Sequence, residues 1–250
     1  MTVNITFDLL DRLHAIALKA GVEILKVYRT DFAVESKADS SPVTAADRAA
    51  EDLIVKAIQA EVTDKFPIVS EEAFAQGHKP DVTGGPFWLV DPLDGTKEFV
   101  RRNDEFTVNI ALIDAGKPIA GIIHAPAIDQ TYLAGPMGAF RATKEGKAEP
   151  ISCRQALGKK LAAMISRHHS TPEVDAYLDA LGVDKRVVAG SSRKFCRIAE
   201  GEADVYPRFG RTMEWDTAAG HAILRFAGGR ITDRNGVELA YGKPGFENPH

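Results

Sequence analysis

The chain has 250 residues, 44% of them hydrophobic and 26% charged, with 31 Lys and Arg against 35 Asp and Glu and a formal net charge of −4. This excludes a collagen-like, low-complexity or wholly disordered chain, and the length suits one large domain or two closely packed lobes. Basic residues scattered singly leave no footprint for a nucleic-acid polymer, and no apolar run approaches the roughly 18 residues of a membrane-spanning helix.

The first residues lack a basic segment and carry Asp8 and Asp11, so no secretory signal is expected and cytoplasmic residence is. Leu9, Leu13, Ile16, Ala20 and Ile24 recur at helical spacing, which predicts an amphipathic helix over 7–29. After Ser40-Ser41-Pro42, Thr44 with Asp47 three positions on resembles a capping box, followed by a second helix ending near Glu61 or Val62. Residues 66–70 and 87–90 read as strands, and the Gly- and Pro-rich segment between them as a loop. From Thr107 an antiparallel meander is expected over 107–113, 119–124, 131–134 and 139–143. After a polar stretch at 144–158, strands (161–166, 186–189, 203–209) alternate with helices (from Thr171-Pro172-Glu173, and 194–199). A helix over 216–227, stopped by Gly228-Gly229, and a tight turn at Asn235-Gly236 complete the chain. Two lobes, 1–150 and 151–250, are expected. Cys153 and Cys196 lack the spacing of a zinc site or a disulfide framework and read as buried thiols.

The segment Trp88-Leu89-Val90-Asp91-Pro92-Leu93-Asp94-Gly95-Thr96 runs an apolar strand into a turn bearing two carboxylates. Pro92 disfavours helix at Asp91, and Gly95 permits an unusual φ or a close backbone approach. Hard oxygen donors so clustered suit Mg²⁺, and a helix start at Thr96-Lys97-Glu98-Phe99 would present free N–H groups to an anion. Asp-Pro and Asp-Gly are also plain turn formers, so the loop alone does not decide. Glu71-Glu72 closes another strand, and Asp216 opens a helix after Trp215. Asp216 reads equally as an N-cap, Asp47 as half of a capping box and Ser191-Ser192 as the cap of the 194–199 helix. Spacing leaves open whether these groups converge.

Trp88-Leu89-Val90-Asp91-Pro92-Leu93-Asp94-Gly95-Thr96-Lys97-Glu98-Phe99 and Trp215-Asp216-Thr217-Ala218-Ala219-Gly220 resemble the two signatures of the inositol monophosphatase superfamily. With Pro42-Val43-Thr44-Ala45-Ala46-Asp47 and Ser70-Glu71-Glu72, the resemblance runs from about Leu9 to Asn248. Gly95-Thr96-Lys97-Glu98-Phe99, Asn103-Asp104-Glu105-Phe106-Thr107-Val108-Asn109, Gly190-Ser191-Ser192-Arg193-Lys194-Phe195-Cys196 and Tyr206-Pro207-Arg208-Phe209-Gly210 are similar to the CysQ-type 3′(2′),5′-bisphosphate nucleotidase branch. Inositol monophosphatases usually have Asn where this chain has Glu98.

The resemblance implies an α+β fold, a layered α-β-α-β-α sandwich with the site between the lobes. It implies that Glu71, Asp91, the Leu93 carbonyl, Asp94 and Asp216 bind two or three Mg²⁺ ions. Glu71, with a Thr96–Asp47 pair in which Asp47 accepts the Thr96 hydroxyl proton, would activate water. Substrate phosphate would rest on N–H groups near Gly95 and Thr96, and Ser191, Ser192, Lys194 and Asp216 would meet the nucleotide. Arg167, His168 and His169, after a strand, read either as cleft ligands or as a solvated loop. The implied activity is lithium-sensitive, Mg²⁺-dependent removal of the 3′-phosphate of adenosine 3′,5′-bisphosphate, giving AMP. The rivals are an inositol or sugar phosphatase on the same scaffold and a non-catalytic phosphometabolite sensor. Some CysQ-type relatives are peripheral to the inner membrane, although nothing here reads as a basic amphipathic anchor.

Overall fold

The structure, a computed structural model, describes residues 3–30, 34–36, 42–142, 147–155, 160–167 and 171–249. Ser40, Ser41, Thr143, His168, His169 and the Thr44 side chain, all invoked above, lie outside the described residues. Helix α1 (Phe7–Tyr28) starts where the Thr6 hydroxyl accepts the Leu9 N–H at 3.2 Å, and it buries Leu13, Ile16, Ala20 and Ile24 of the expected stripe fully and Leu9 in part. A ribbon of β1 (Val34–Ser36) and β2 (Pro42–Thr44) leads into α2 (Ala45–Ala57), which widens into a π turn over Ile58–Val62, the expected end.

Next come β3 (Ile68–Ser70), a short α3 (Glu71–Ala75), β4 (Phe87–Asp94) and α4 (Thr96–Val100). The meander follows as β5 (Thr107–Asp114), β6 (Lys117–Ala125), β7 (Gln130–Gly135) and β8 (Gly138–Ala142), and β9 (Ala148–Ile151) extends it. Together β3 to β9 form a seven-stranded sheet in sequence order, with β3 parallel to β4 and every other pair antiparallel. Strand β9 was not expected, because an exposed edge segment has no apolar face to reveal it.

The remainder contains β10 (Leu161–Ser166), α5 (Pro172–Ala180), β11 (Val183–Ala189), α6 (Arg193–Ala199) and α7 (Glu214–Phe226). Strands β10 and β11 pair in parallel. The strand expected at 203–209 does not form: Val205 makes one isolated bridge to Ala163, and Pro207 removes the next donor a ladder would need.

Helices α1 and α2 cover one face of the large sheet and α7 the other; α6 joins α7 to β10, and α5 packs outside β11. That order gives the five layers α-β-α-β-α. Because the large sheet is buried on both faces, its strands read as continuous apolar runs. Trp88 and Val90 belong to the core beneath α1 and α2, whereas Phe87 and Leu89 belong to the core beneath α7. None of the described helices is long and apolar enough to cross a membrane.

Candidate active site

Asp91 and Asp94 are an odd number of residues apart, so in a regular strand they would face opposite sides of the sheet. They do not, because β4 carries a bulge. Asp91 stands opposite Asn109 and Asp94 opposite Thr107, so three steps on β4 match two on β5. The extra residue reverses the alternation: Leu93 turns into the core with Val90, and both carboxylates emerge on the α7 side. Pro92 fits inside the bulge, where its missing N–H leaves no ladder bond unmade. Gly95 follows at φ 89°, and a Cβ there would stand 3.1 Å from both the Glu105 carbonyl and Ser191. Both freedoms expected of this glycine are used.

The two strand carboxylates open onto a cavity of about 350 Å³, also lined by Glu71, the Gly95–Thr96 backbone turn and Asp216. Glu71 is the first residue of α3, whose N-cap Ser70 makes no capping bond of its own. The cap comes instead from buried Glu51 on α2, which accepts the Glu72 N–H at 2.9 Å. Asp216 is not the N-cap of α7: the helix begins at Glu214, and Asp216 Oδ2 reaches back to accept the Met213 N–H at 2.8 Å. One oxygen is thus anchored and the other left for the cavity. Asp47 is fully buried in the first turn of α2, behind Asp91, on which its charge acts. The Thr96 hydroxyl was expected to donate to Asp47; its single hydrogen instead goes to the Leu93 carbonyl at 3.4 Å, so Asp47 bears on the site through its charge.

Burial, and then the charges of Glu71, Asp94, Asp216 and Asp47, hold the Asp91 carboxyl well above the usual range. Burial, with Glu71 and Asp94, pushes Asp216 up to about 8. Among the described residues no three acidic, His or Cys side chains already converge on one ion position. Asp94 Oδ2 is drawn to Ser192 and Asp216 Oδ2 to Met213, which leaves one oxygen of each available. The donor set is all hard oxygen, and like charges are held together in a buried place, so it fits a divalent cation.

A test follows from the sign of these shifts. From the ordinary value of 3.8 up to about 8, the folded chain keeps protons that the unfolded chain has released, so without metal the fold loses stability as pH rises through that window. A cation binding the ionised cluster offsets that loss. The Mg²⁺-dependent rise in Tm should therefore be larger near pH 8 than near pH 5, and a rise independent of pH would count against this cluster as the cation site.

Across the cavity, Ser191 sits at φ 49° and Lys194 donates to its carbonyl at 2.6 Å. The Lys194 ammonium lies 5.1 Å from the Tyr206 ring centre, and burial pulls its pKa down to about 8. Ser192, expected to meet substrate, lines the cavity and is also tied to two of the carboxylate residues, Asp94 and Asp216. It is 2% exposed, its hydroxyl donates to Asp94 at 2.6 Å and accepts from Asn109 at 2.9 Å, and its N–H reaches Asp94 at 2.5 Å. Arg167 does not line the cavity: it pairs with Glu105 at 2.7 Å, which also accepts the Gly190 N–H at 3.0 Å. Glu98 does line it, and a Cβ on Gly190 would stand 2.7 Å from the Glu98 Cγ, so this turn closes over Glu98 only with glycine at 190. Arg208, Thr212 and Asn248 also reach the cavity. Of these, only Arg208 lay in a segment singled out in the sequence.

Comparison with known proteins agrees with this geometry. The profile of the inositol monophosphatase family matches residues 8–250. The 3′(2′),5′-bisphosphate nucleotidase CysQ of Escherichia coli K12 is 45% identical over 244 residues, covering 96% of this chain and 97% of that protein. The crystal structure of CysQ from Bacteroides thetaiotaomicron superposes with a TM-score of 0.82 at 39% identity, covering 98% of this chain and 97% of that one. Inositol monophosphatase II from Staphylococcus aureus gives a TM-score of 0.75 at 25% identity, over 94% and 87% of the two chains. With a bulged Asp-Pro-Leu-Asp strand, a carboxylate-lined cavity and a match along nearly its whole length, the chain belongs to the inositol monophosphatase family.

Proposed function

We propose that this chain is a metal-dependent 3′(2′),5′-bisphosphate nucleotidase that hydrolyses the 3′-phosphate of adenosine 3′,5′-bisphosphate to AMP and phosphate. The observation that carries the reading is the β4 bulge, which turns Asp91 and Asp94 to one side of the sheet, facing Asp216. Identity to CysQ proteins, rather than the fold, supports the choice of a nucleotide over an inositol ester.

Glu71, Asp91, Asp94, Asp216 and the Leu93 carbonyl would hold two or three Mg²⁺ ions where lobes 1–150 and 151–250 meet. Bound there, the cations would supply Lewis-acid stabilisation of charge building on the phosphoryl oxygens. Glu71 receives a proton from the attacking water as its oxygen approaches phosphorus; the ester bond to the 3′ oxygen breaks, and that oxygen takes a proton from solvent to leave as the 3′ hydroxyl of AMP. Thr96 orients that water through its hydroxyl oxygen. Asp47, behind the strand, adds negative charge that favours keeping protons on the cluster. The Gly95 and Thr96 N–H groups would meet the phosphate, and Ser191 and Lys194, which line the same cavity, the nucleotide. Ser192 holds Asp94 in place.

The test is phosphate release with Mg²⁺ from adenosine 3′,5′-bisphosphate and inositol 1-phosphate under identical conditions. A much larger kcat/KM for the nucleotide is expected. Preference for the inositol ester would overturn the substrate assignment, and no release from either would favour a sensor.

A further inference from the structure

The placement of Asp216 depends on a part of the chain that no motif singles out. Helix α7 starts after Met213, whose thioether makes no capping bond, so Asp216 itself accepts the Met213 N–H. That tie positions the carboxylate only if the backbone at 213 and 214 is itself held. Residues 241–248 hold it. Glu214, 0% exposed, accepts the Gly242 N–H at 2.7 Å and the Lys243 N–H at 3.0 Å, and pairs with the Lys243 ammonium at 2.6 Å. Asn248, 3% exposed, places its Nδ2 2.9 Å from the Met213 carbonyl and 3.0 Å from the Thr217 hydroxyl, while its Oδ1 lies 3.3 Å from the Lys243 ammonium. Met213 and Glu214 before Asp216, and Thr217 after it, are therefore tied to the same short segment.

We propose that residues 241–248 form a positioning strap that sets Asp216 for cation binding, with Asn248 at its centre. The proposal rests on Asp216 being a cation ligand, as put forward above. Asn248 lines the cavity as well, but like Lys243 it bears on Asp216 through the first turn of α7. The two hydrogens of the Asn248 NH₂ group are shared among the Met213 carbonyl, the Thr217 hydroxyl and, at 3.2 Å, the Thr212 hydroxyl, so the amide bridges both sides of the ligand. Losing such a support weakens cation binding without removing a ligand.

The experiment measures Mn²⁺ binding to the full chain by titration calorimetry, together with the Mg²⁺ dependence of phosphate release. Asn248→Ala is expected to bind Mn²⁺ roughly 10- to 100-fold more weakly, with kcat largely recovered at saturating Mg²⁺. Lys243→Met, which keeps both backbone donors to Glu214, should shift binding in the same direction and serves if Asn248→Ala does not fold. Leu178→Ala is the control for lost stability: it opens the separate core under α5 and should lower Tm while leaving Mn²⁺ affinity unchanged. Parent-like Mn²⁺ affinity in the strap variants would overturn the proposal, as would an equal loss in Leu178→Ala. A parent chain that binds no cation would overturn the functional reading itself, and the strap with it.

Discussion

Replacing Asp91 by Asn is expected to lower phosphate release by about a thousandfold or more, and at the same time to make the metal-free protein melt higher than the parent near pH 8. The two effects share one cause. Asp91 is 1% exposed, and its ionised form is opposed by burial and by four neighbouring carboxylates. Asn has nearly the same shape, and its Oδ1 can still accept the Leu93 N–H that Asp91 accepts at 3.1 Å, so the bulge has no local reason to collapse. What disappears is one negative charge among several, which relieves the empty cluster and weakens its hold on a cation. Thermal melts with and without Mg²⁺ check this: the parent should gain stability from Mg²⁺ and the variant little or none. Near-parent activity in Asp91→Asn would remove Asp91 from the ligand set. A metal-free variant melting well below the parent would mean that the cluster is not under electrostatic strain.

Gly220→Val is expected to destabilise the fold by about 3 kcal/mol, a fall in Tm of roughly 6–12 °C, although Gly220 touches neither carboxylates nor cavity. A Cβ built at Gly220 stands 2.3 Å from Cδ2 and 2.5 Å from Cγ of Phe195, well inside contact distance. Phe195 is 9% exposed, so its ring has little room to withdraw. The same closeness recurs on the sheet side of α7, where a Cβ on Gly121 would meet Ala222 at 2.6 Å. The small residues Ala218, Ala219 and Gly220 after Asp216 therefore belong to packing: they let α7 lie between α6 and β6. Since Lys194 precedes Phe195, Gly220→Val should also raise KM. Gly84→Val is the matched control, because a Cβ there meets nothing within 4 Å, and its Tm should be unchanged. An equal loss in both variants would show that crowding against Phe195 is not the cause.

Much of the fold was legible because it repeats a local pattern. Helix α1 announces itself by a stripe from Leu10 to Ile24, and the meander by apolar runs separated by turns. The misses have local reasons too. Helix α3 is a single turn capped from α2 by Glu51, and β9 is an exposed edge. At 203–209, Pro207 broke a strand that its apolar residues suggested.

The site divides in the same way. That Asp91, Asp94, Glu71 and Asp216 stand at the ends of elements could be read along the chain, because strand ends and helix starts carry local signals. That Asp91 and Asp94 share a face could not, since a bulge is a relation of register between β4 and β5. Nor could the tie from Ser192 to Asp94, 98 residues away, or the contact that reaches back from Asn248 to Met213. Local sequence records which side chains water rejects and where the backbone must turn. A cluster of like charges is unfavourable by itself, and only packing among distant elements holds it together, so the tertiary structure alone decides which carboxylates meet.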